Sequence, residues 1–239
     1  MGMYMKAFGE IWRSNIFQKW LMALTGLLLV GFLLGHLSGN LLVFLGKEDI
    51  NSYAHGLHTM GHGMVIWIVR LGLLSMFVLH VVAAITLSRR NRAARPTSYA
   101  KVTPRRSTIA SRSMLYSGLL LLTYVLYHLA HFTWGVVHAE NYVGQPGWQY
   151  TLADGTVVAD VYRMVVASFQ IPLVAVLYVL AMVMVGLHLN HAIASAFQTM
   201  GVTNKRIVPA IRSIGPLLSF IIAAGFSAVP LAILAGVVK

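Results

Sequence analysis

Residues 116–135 read YSGLLLLTYVLYHLAHFTWG. The run is apolar enough for lipid as far as Leu126, and then two imidazoles, His128 and His131, arrive three residues apart. A hydrocarbon core takes roughly 20 apolar residues of helix to cross, so the stretch reads as a membrane span. An ionisable side chain inside a span is costly, and its presence implies a partner or a task. What these two histidines do depends on where the others lie.

Outward from this stretch, the same apolar density recurs. Five segments, at 20–45, 63–88, 113–137, 163–190 and 209–236, each exceed spanning length. Of the 239 residues, 58% are hydrophobic and only 10% charged, whereas water-soluble domains carry about a quarter charged residues. The expectation is a single membrane domain over 1–239, an all-α integral membrane protein built as a five-transmembrane-helix bundle. Pro172 and Pro216 fall inside the fourth and fifth spans, where a bundle tolerates a kink.

Charge orients the bundle. The net charge is +12, but the basic residues follow topology and do not point to nucleic acid. Lys6, Arg13 and Lys19 precede the first span, eight basic residues and no acid fill 89–112, and Lys205, Arg206 and Arg212 lie in 199–212, up to the start of the last span. Five of the six acids, Glu48, Asp49, Glu140, Asp154 and Asp160, fall in the alternate connections. Positive charge collects on the cytoplasmic side, which places the N-terminus in the cytoplasm and the C-terminus outside. The polar segment 46–62 is expected to form a short helix or re-entrant loop at the outer face, with Asn51-Ser52 as its cap.

Cysteine is absent. Disulfides, thiolate metal sites, covalent haem attachment and iron–sulfur ligation by this chain are thereby excluded. The histidines are then read by depth, at 1.5 Å of rise per residue. His36 lies about 25 Å above Lys19 and His128 about 24 Å above Arg112. His80 is about 14 Å from Arg89, while His188 and His191 are about 18 Å and 13 Å from Met200. Two tiers result, His36 with His128 near the outer side, and His80 with His188 or His191 nearer the cytoplasm. An imidazole pair on facing helices suits the two axial positions of a b-type haem held within a bundle. Transport of divalent metal or protons is the alternative of another class, disfavoured because no Asp or Glu lies within the spans.

Arg70, some seven residues inside the second span, suits a haem propionate or snorkels to headgroups. Arg163, at the outer start of the fourth span, is an interface anchor or a second propionate contact. Gly35, Gly39 and Gly186 flank the histidines and would let a flat ring approach the backbone.

The blocks KWLMALTGLLLVGFLLGHLSGNLLVFLG, RRNRAARPTSYA, YHLAHFTWG, DVYRMVVASF and GLHLNHAIASAFQTMG together resemble the five-helix, di-haem cytochrome b anchor of bacterial succinate dehydrogenases and fumarate reductases. The resemblance covers nearly the whole chain. It implies a multi-pass subunit of the bacterial cytoplasmic (inner) membrane, in the respiratory chain and the tricarboxylic acid cycle. A flavoprotein subunit with FAD and an iron–sulfur subunit would dock on its cytoplasmic face. Electrons from succinate would pass through two haems b to a quinone, menaquinone in this branch.

By that resemblance His36 and His128 hold the outer haem, and His80 and His188 the inner one. His131 and His191, three residues further on in their motifs, are second-sphere groups or alternative ligands. Some fumarate reductases of this kind carry a proton-moving glutamate two residues before the fourth-helix ligand. Here that position is Gly186, which favours succinate oxidation. Glu48, Asp49, His55, His58 and His62 are the residues near the outer side able to exchange protons with a quinone. Arg89, Arg90, Arg92 and Arg95 lie where the iron–sulfur subunit would dock. A cytochrome b subunit of a hydrogenase or formate dehydrogenase remains the alternative within the same chemistry.

Overall fold

The computed structural model describes residues 9–94 and 113–239. Ser14, whose hydroxyl accepts from the Phe17 N–H at 3.4 Å, caps the first long helix, α1 (Asn15–Leu41). A 3-10 turn (Leu42–Phe44) and Gly46 at φ 125° then redirect the chain into a short helix, α2 (Lys47–Thr59). Glu48 and Asp49 occupy the first turn of α2, where the helix dipole favours anions. The N-cap of α2 is thus Gly46; Asn51 and Ser52 lie within the helix, Asn51 fully buried.

A left-handed run through Gly61, His62 and Gly63 reverses the chain into α3 (Met64–Ala93). The fourth helix, α4 (Met114–His128), runs into a π-turn over Leu129–Thr133, where the Trp134 N–H reaches back five residues to the Leu129 carbonyl at 2.8 Å. A two-stranded antiparallel hairpin follows, β1 (Gln149–Thr151) against β2 (Val157–Ala159).

The fourth predicted span is broken. A short helix α5 (Val161–Phe169) ends before Gln170, and Pro172 opens α6 (Pro172–Thr199) at its first turn. Proline has no N–H to give and suits that position, whereas mid-helix it breaks the ladder. The last helix, α7 (Ile207–Leu234), carries Pro216 and Pro230 inside it.

Five helical segments are long and apolar enough to cross a membrane; the chain is a multi-pass membrane protein. Its outer surface agrees. Ile68 on α3 and Tyr116 on α4 are each 70% exposed, an arrangement suited to acyl chains and unfavourable in water. On α6 the buried residues Val174, Ala175, Tyr178, Met182, Val185, Leu189, Ile193 and Ala196 recur at helical spacing and form one inward stripe.

The largest helix interface is α6 on α7; α1 packs on α3, α6 and α7, and α4 packs on α6. Small residues set the close approaches. A methyl at Gly186 would lie 3.2 Å from the Ala223 side chain, and one at Gly225 would lie 2.9 Å from Leu37. Helices α3, α1, α6 and α4 therefore form an arc, and α7 lies against its α1–α6 side. The helix pairs α1 with α4 and α3 with α6 are not among the substantial interfaces of the described residues. They face each other across diagonals. The end of α3 is tied to the start of α1 by Arg90, whose Nη1 donates to the Arg13 carbonyl and to Asn15 Oδ1, each at 2.8 Å. The opposite end of the bundle carries α2, the hairpin and α5.

Candidate functional site

The two diagonals are the ones that carry the histidines. On the first, the rings of His36 (α1) and His128 (α4) have centres 5.9 Å apart with planes at 82°. The two rings meet edge to face at the usual spacing of packed aromatic rings. Phe32 stacks on His36 at 5.3 Å and Phe226 of α7 lies 5.6 Å away. Tyr124, Phe132 and Tyr178 surround His128. Asn40 donates to the His36 carbonyl at 2.8 Å and lies within 3.5 Å of both nitrogens of its ring.

On the second diagonal, His80 (α3) and His188 (α6) each lean against a hydroxyl. His80 Nδ1 lies 3.2 Å from Thr25 Oγ1 and 3.2 Å from the Met22 carbonyl oxygen. His188 Nδ1 lies 3.0 Å from Ser117 Oγ. Gly26 leaves space that the His80 ring fills, since a methyl there would lie 3.2 Å from Cε1; one at Gly118 would lie 3.6 Å from His188 Cε1, an ordinary contact.

The two neighbouring histidines differ from these four. His131, 2% exposed, has both ring nitrogens occupied, Nδ1 at 3.0 Å from Tyr178 Oη and Nε2 at 3.0 Å from Ser168 Oγ. The π-turn carries His131, turning it toward α5 and α6. No hydrogen bond reaches the His191 ring among the described residues, and the ring is half-buried one turn beyond His188. Among the described residues no three His, Asp or Glu side chains converge as a metal site.

The remaining candidates sit at the bundle ends. Arg70 lies with Nη2 3.3 Å from His58 Nε2 and its guanidinium over the Trp67 ring at 5.2 Å. Arg163 stacks over Trp148 at 4.4 Å and donates to the Gly147 carbonyl at 3.2 Å. Glu48 accepts from the Tyr150 hydroxyl at 3.2 Å and from the Ala153 N–H at 3.0 Å, which ties α2 to the hairpin. Partial desolvation and this carboxylate push the Tyr150 phenol up, and the Thr156 N–H holds the Asp154 carboxyl low.

Asp49, His58 and His62 are exposed and His55 is half-buried; the structure does not gather them into one cluster with Glu48. A cavity of about 340 Å³ does open at this end, but Lys47, Trp148, Asp160, Tyr162 and Arg163 are among the residues lining it. At the other end Arg89 and Arg92 are exposed, Arg90 is engaged with α1, and Arg95 lies outside the described residues.

The flanking glycines also find their places. Gly186 serves the α6–α7 contact, Gly39 abuts the Tyr53 ring, and Gly35 faces open space. The groups that sequence reasoning passed over are Thr25, Gly26, Ser117, Gly118 and Tyr178. A hydroxyl or glycine in an apolar run is ordinary; only the partner helix reveals the contact. No protein-family model, no curated protein and no solved structure matches the chain.

Proposed function

We propose that the chain is the membrane-anchoring cytochrome b subunit of a succinate:quinone oxidoreductase, holding two haems b and passing electrons from an iron–sulfur subunit to a membrane quinone. The observation that carries this reading is the meeting of the His36 and His128 rings between α1 and α4, with His80 on α3 and His188 on α6 each held against a hydroxyl. A metal held by protein alone takes three or four converging donors, and the described residues offer none. A haem would need only two imidazoles from the chain for each iron, which His36 with His128 and His80 with His188 would supply. The apolar walls given by Phe32, Phe226, Tyr124 and Phe132 suit the flat face of a macrocycle.

Haem iron supplies one-electron transfer when bound; the chain supplies everything around it. In this reading His36 and His128 hold the outer group and His80 and His188 the inner one. His131 has no ring nitrogen left for iron, so it braces Tyr178 and Ser168 beside His128. The exposed Arg89 and Arg92 face the iron–sulfur subunit, with the FAD-bearing flavoprotein beyond it, and attract an acidic counter-surface. Menaquinone is reduced at the hairpin end, where Glu48, Asp49, His55, His58 and His62 are the groups able to pass protons. Gly186 is packed against α7 and carries no proton, which accords with succinate as the electron donor.

The test is a reduced-minus-oxidised spectrum of chain purified from haem-replete cells, with haem and flavin assays on the co-purified complex. A b-type α band, two haems per chain and a bound flavoprotein are expected. Folded chain without haem overturns the reading in favour of a transporter. Two haems alongside a hydrogenase or formate dehydrogenase subunit would transfer the chain to that class of complex.

A further inference from the structure

Thr25-Gly26 on α1 and Ser117-Gly118 on α4 stand in the same register. His36 follows Thr25 by 11 residues and His128 follows Ser117 by 11. On an α-helix that is about 16 Å of rise and just over three full turns, so each hydroxyl and its later histidine share a face. Each hydroxyl–glycine pair also meets a histidine of the next packed helix, His80 of α3 in one case and His188 of α6 in the other. The chain thus holds one arrangement twice, α1 with α3 and α4 with α6. Each diagonal takes one imidazole from either copy.

The protons follow from the acceptors. Thr25 Oγ1 lies 2.6 Å from the Leu21 carbonyl oxygen and 3.3 Å from that of Met22, so its proton goes to its own helix. Its oxygen is then an acceptor toward His80. The Met22 carbonyl, 3.2 Å from the same Nδ1, can only accept. His80 Nδ1 therefore carries the hydrogen, and Nε2 carries the lone pair. Ser117 Oγ lies 3.2 Å from the Met114 carbonyl and 3.0 Å from His188 Nδ1; with its proton given to its own helix, as in Thr25, the oxygen accepts from His188 Nδ1. The copies differ in one respect: His80 has a carbonyl in addition to its hydroxyl, and His188 has the hydroxyl alone.

We infer that Thr25 and Ser117 are positioning residues for the inner tier, fixing His80 and His188 as Nδ1–H tautomers so that both present Nε2 to a metal centre, while Gly26 makes room for the His80 ring. This rests on the haem reading for its consequence. A hydrogen bond from the distal ring nitrogen raises the basicity of the coordinating one, and losing such a partner typically weakens binding tenfold to a hundredfold.

The experiment uses the full chain with Ser117→Ala, Ser117→Thr, Thr25→Val and Thr25→Ser. Redox titration and haem-retention assays are made on the loaded protein, and ¹⁵N spectra of labelled histidine on the haem-free protein. Ser117→Ala is expected to weaken retention of the inner haem by roughly tenfold to a hundredfold, to raise its potential, and to leave the outer haem unchanged. Thr25→Val acts in the same direction but less, because the Met22 carbonyl remains. Ser117→Thr and Thr25→Ser restore the parent behaviour. Parent values in Ser117→Ala, or equal shifts in both haems, would overturn the inference. So would an Nε2-protonated signature at His80 or His188 in the haem-free parent. A folded parent that binds no haem defeats the functional reading alone, since the nitrogen spectra still decide the tautomers.

Discussion

Both ring nitrogens of His131 lie 3.0 Å from a hydroxyl, whereas Nδ1 of His128 has only the more distant Tyr178 Oη at 3.5 Å. The difference separates two residues that sequence treats as near equivalents. His128→Ala should remove the outer haem, as should His36→Ala. His131→Phe should keep both haems yet leave the buried Ser168 hydroxyl without its imidazole partner and Tyr178 with only the longer contact to His128, at about 1–3 kcal/mol for an unsatisfied group. Haem stoichiometry and thermal unfolding of the detergent-solubilised variants check this pair together. Loss of a haem from His131→Phe, with His128→Ala fully loaded, would reverse the assignment. In the second motif, His80→Ala and His188→Ala should each empty the inner tier, and His191→Ala neither tier.

At the scale of elements, α2 and α5 are joined by a reciprocal cap. Asn51 donates to Asp160 Oδ1 at 3.0 Å and accepts the Tyr162 N–H at 3.0 Å, while the same carboxylate oxygen accepts the Arg163 N–H at 3.0 Å. Asn51→Ala removes two of these bonds from a buried site and should cost about 2–4 kcal/mol. Hydrogen exchange at Tyr162 should accelerate while the spans stay protected; unchanged exchange there would mean the cap is redundant.

None of this could be read from the chain alone, because Asn51 and Asp160 are 109 residues apart. The long helices were legible for the opposite reason: apolar runs of spanning length and alternating loop charge are local properties. The common depth of His36 and His128 was legible too, since a basic residue marks the start of each of their spans. The break between α5 and α6 was not, because an apolar run containing Pro172 reads equally as a kinked span. The hairpin was hidden because its strands are three residues each, too short to show alternation. The roles of Thr25 and Ser117 needed the partner helix.

For the whole molecule, the division of charge between the two ends carries a prediction about assembly. If the proposed docking is right, Arg89→Glu combined with Arg92→Glu should weaken association with an iron–sulfur subunit, most of all at low ionic strength where charge steering is strongest. Haem content should stay at the parent level, because neither residue touches a histidine tier. Normal assembly and electron transfer in this double variant would reduce the patch to a topology signal.

The diagonal geometry has a consequence for chain continuity. Each tier draws one imidazole from α1 or α3 and one from α4 or α6, and α1 packs directly on α6. The covalent link between the two halves is then redundant once the helices have met. Residues 1–100 and 101–239, produced in one cell as separate polypeptides, should reassemble into a heterodimer with both tiers loaded. Mutating one tier should make the severed pair fall apart more readily than it disturbs the intact chain.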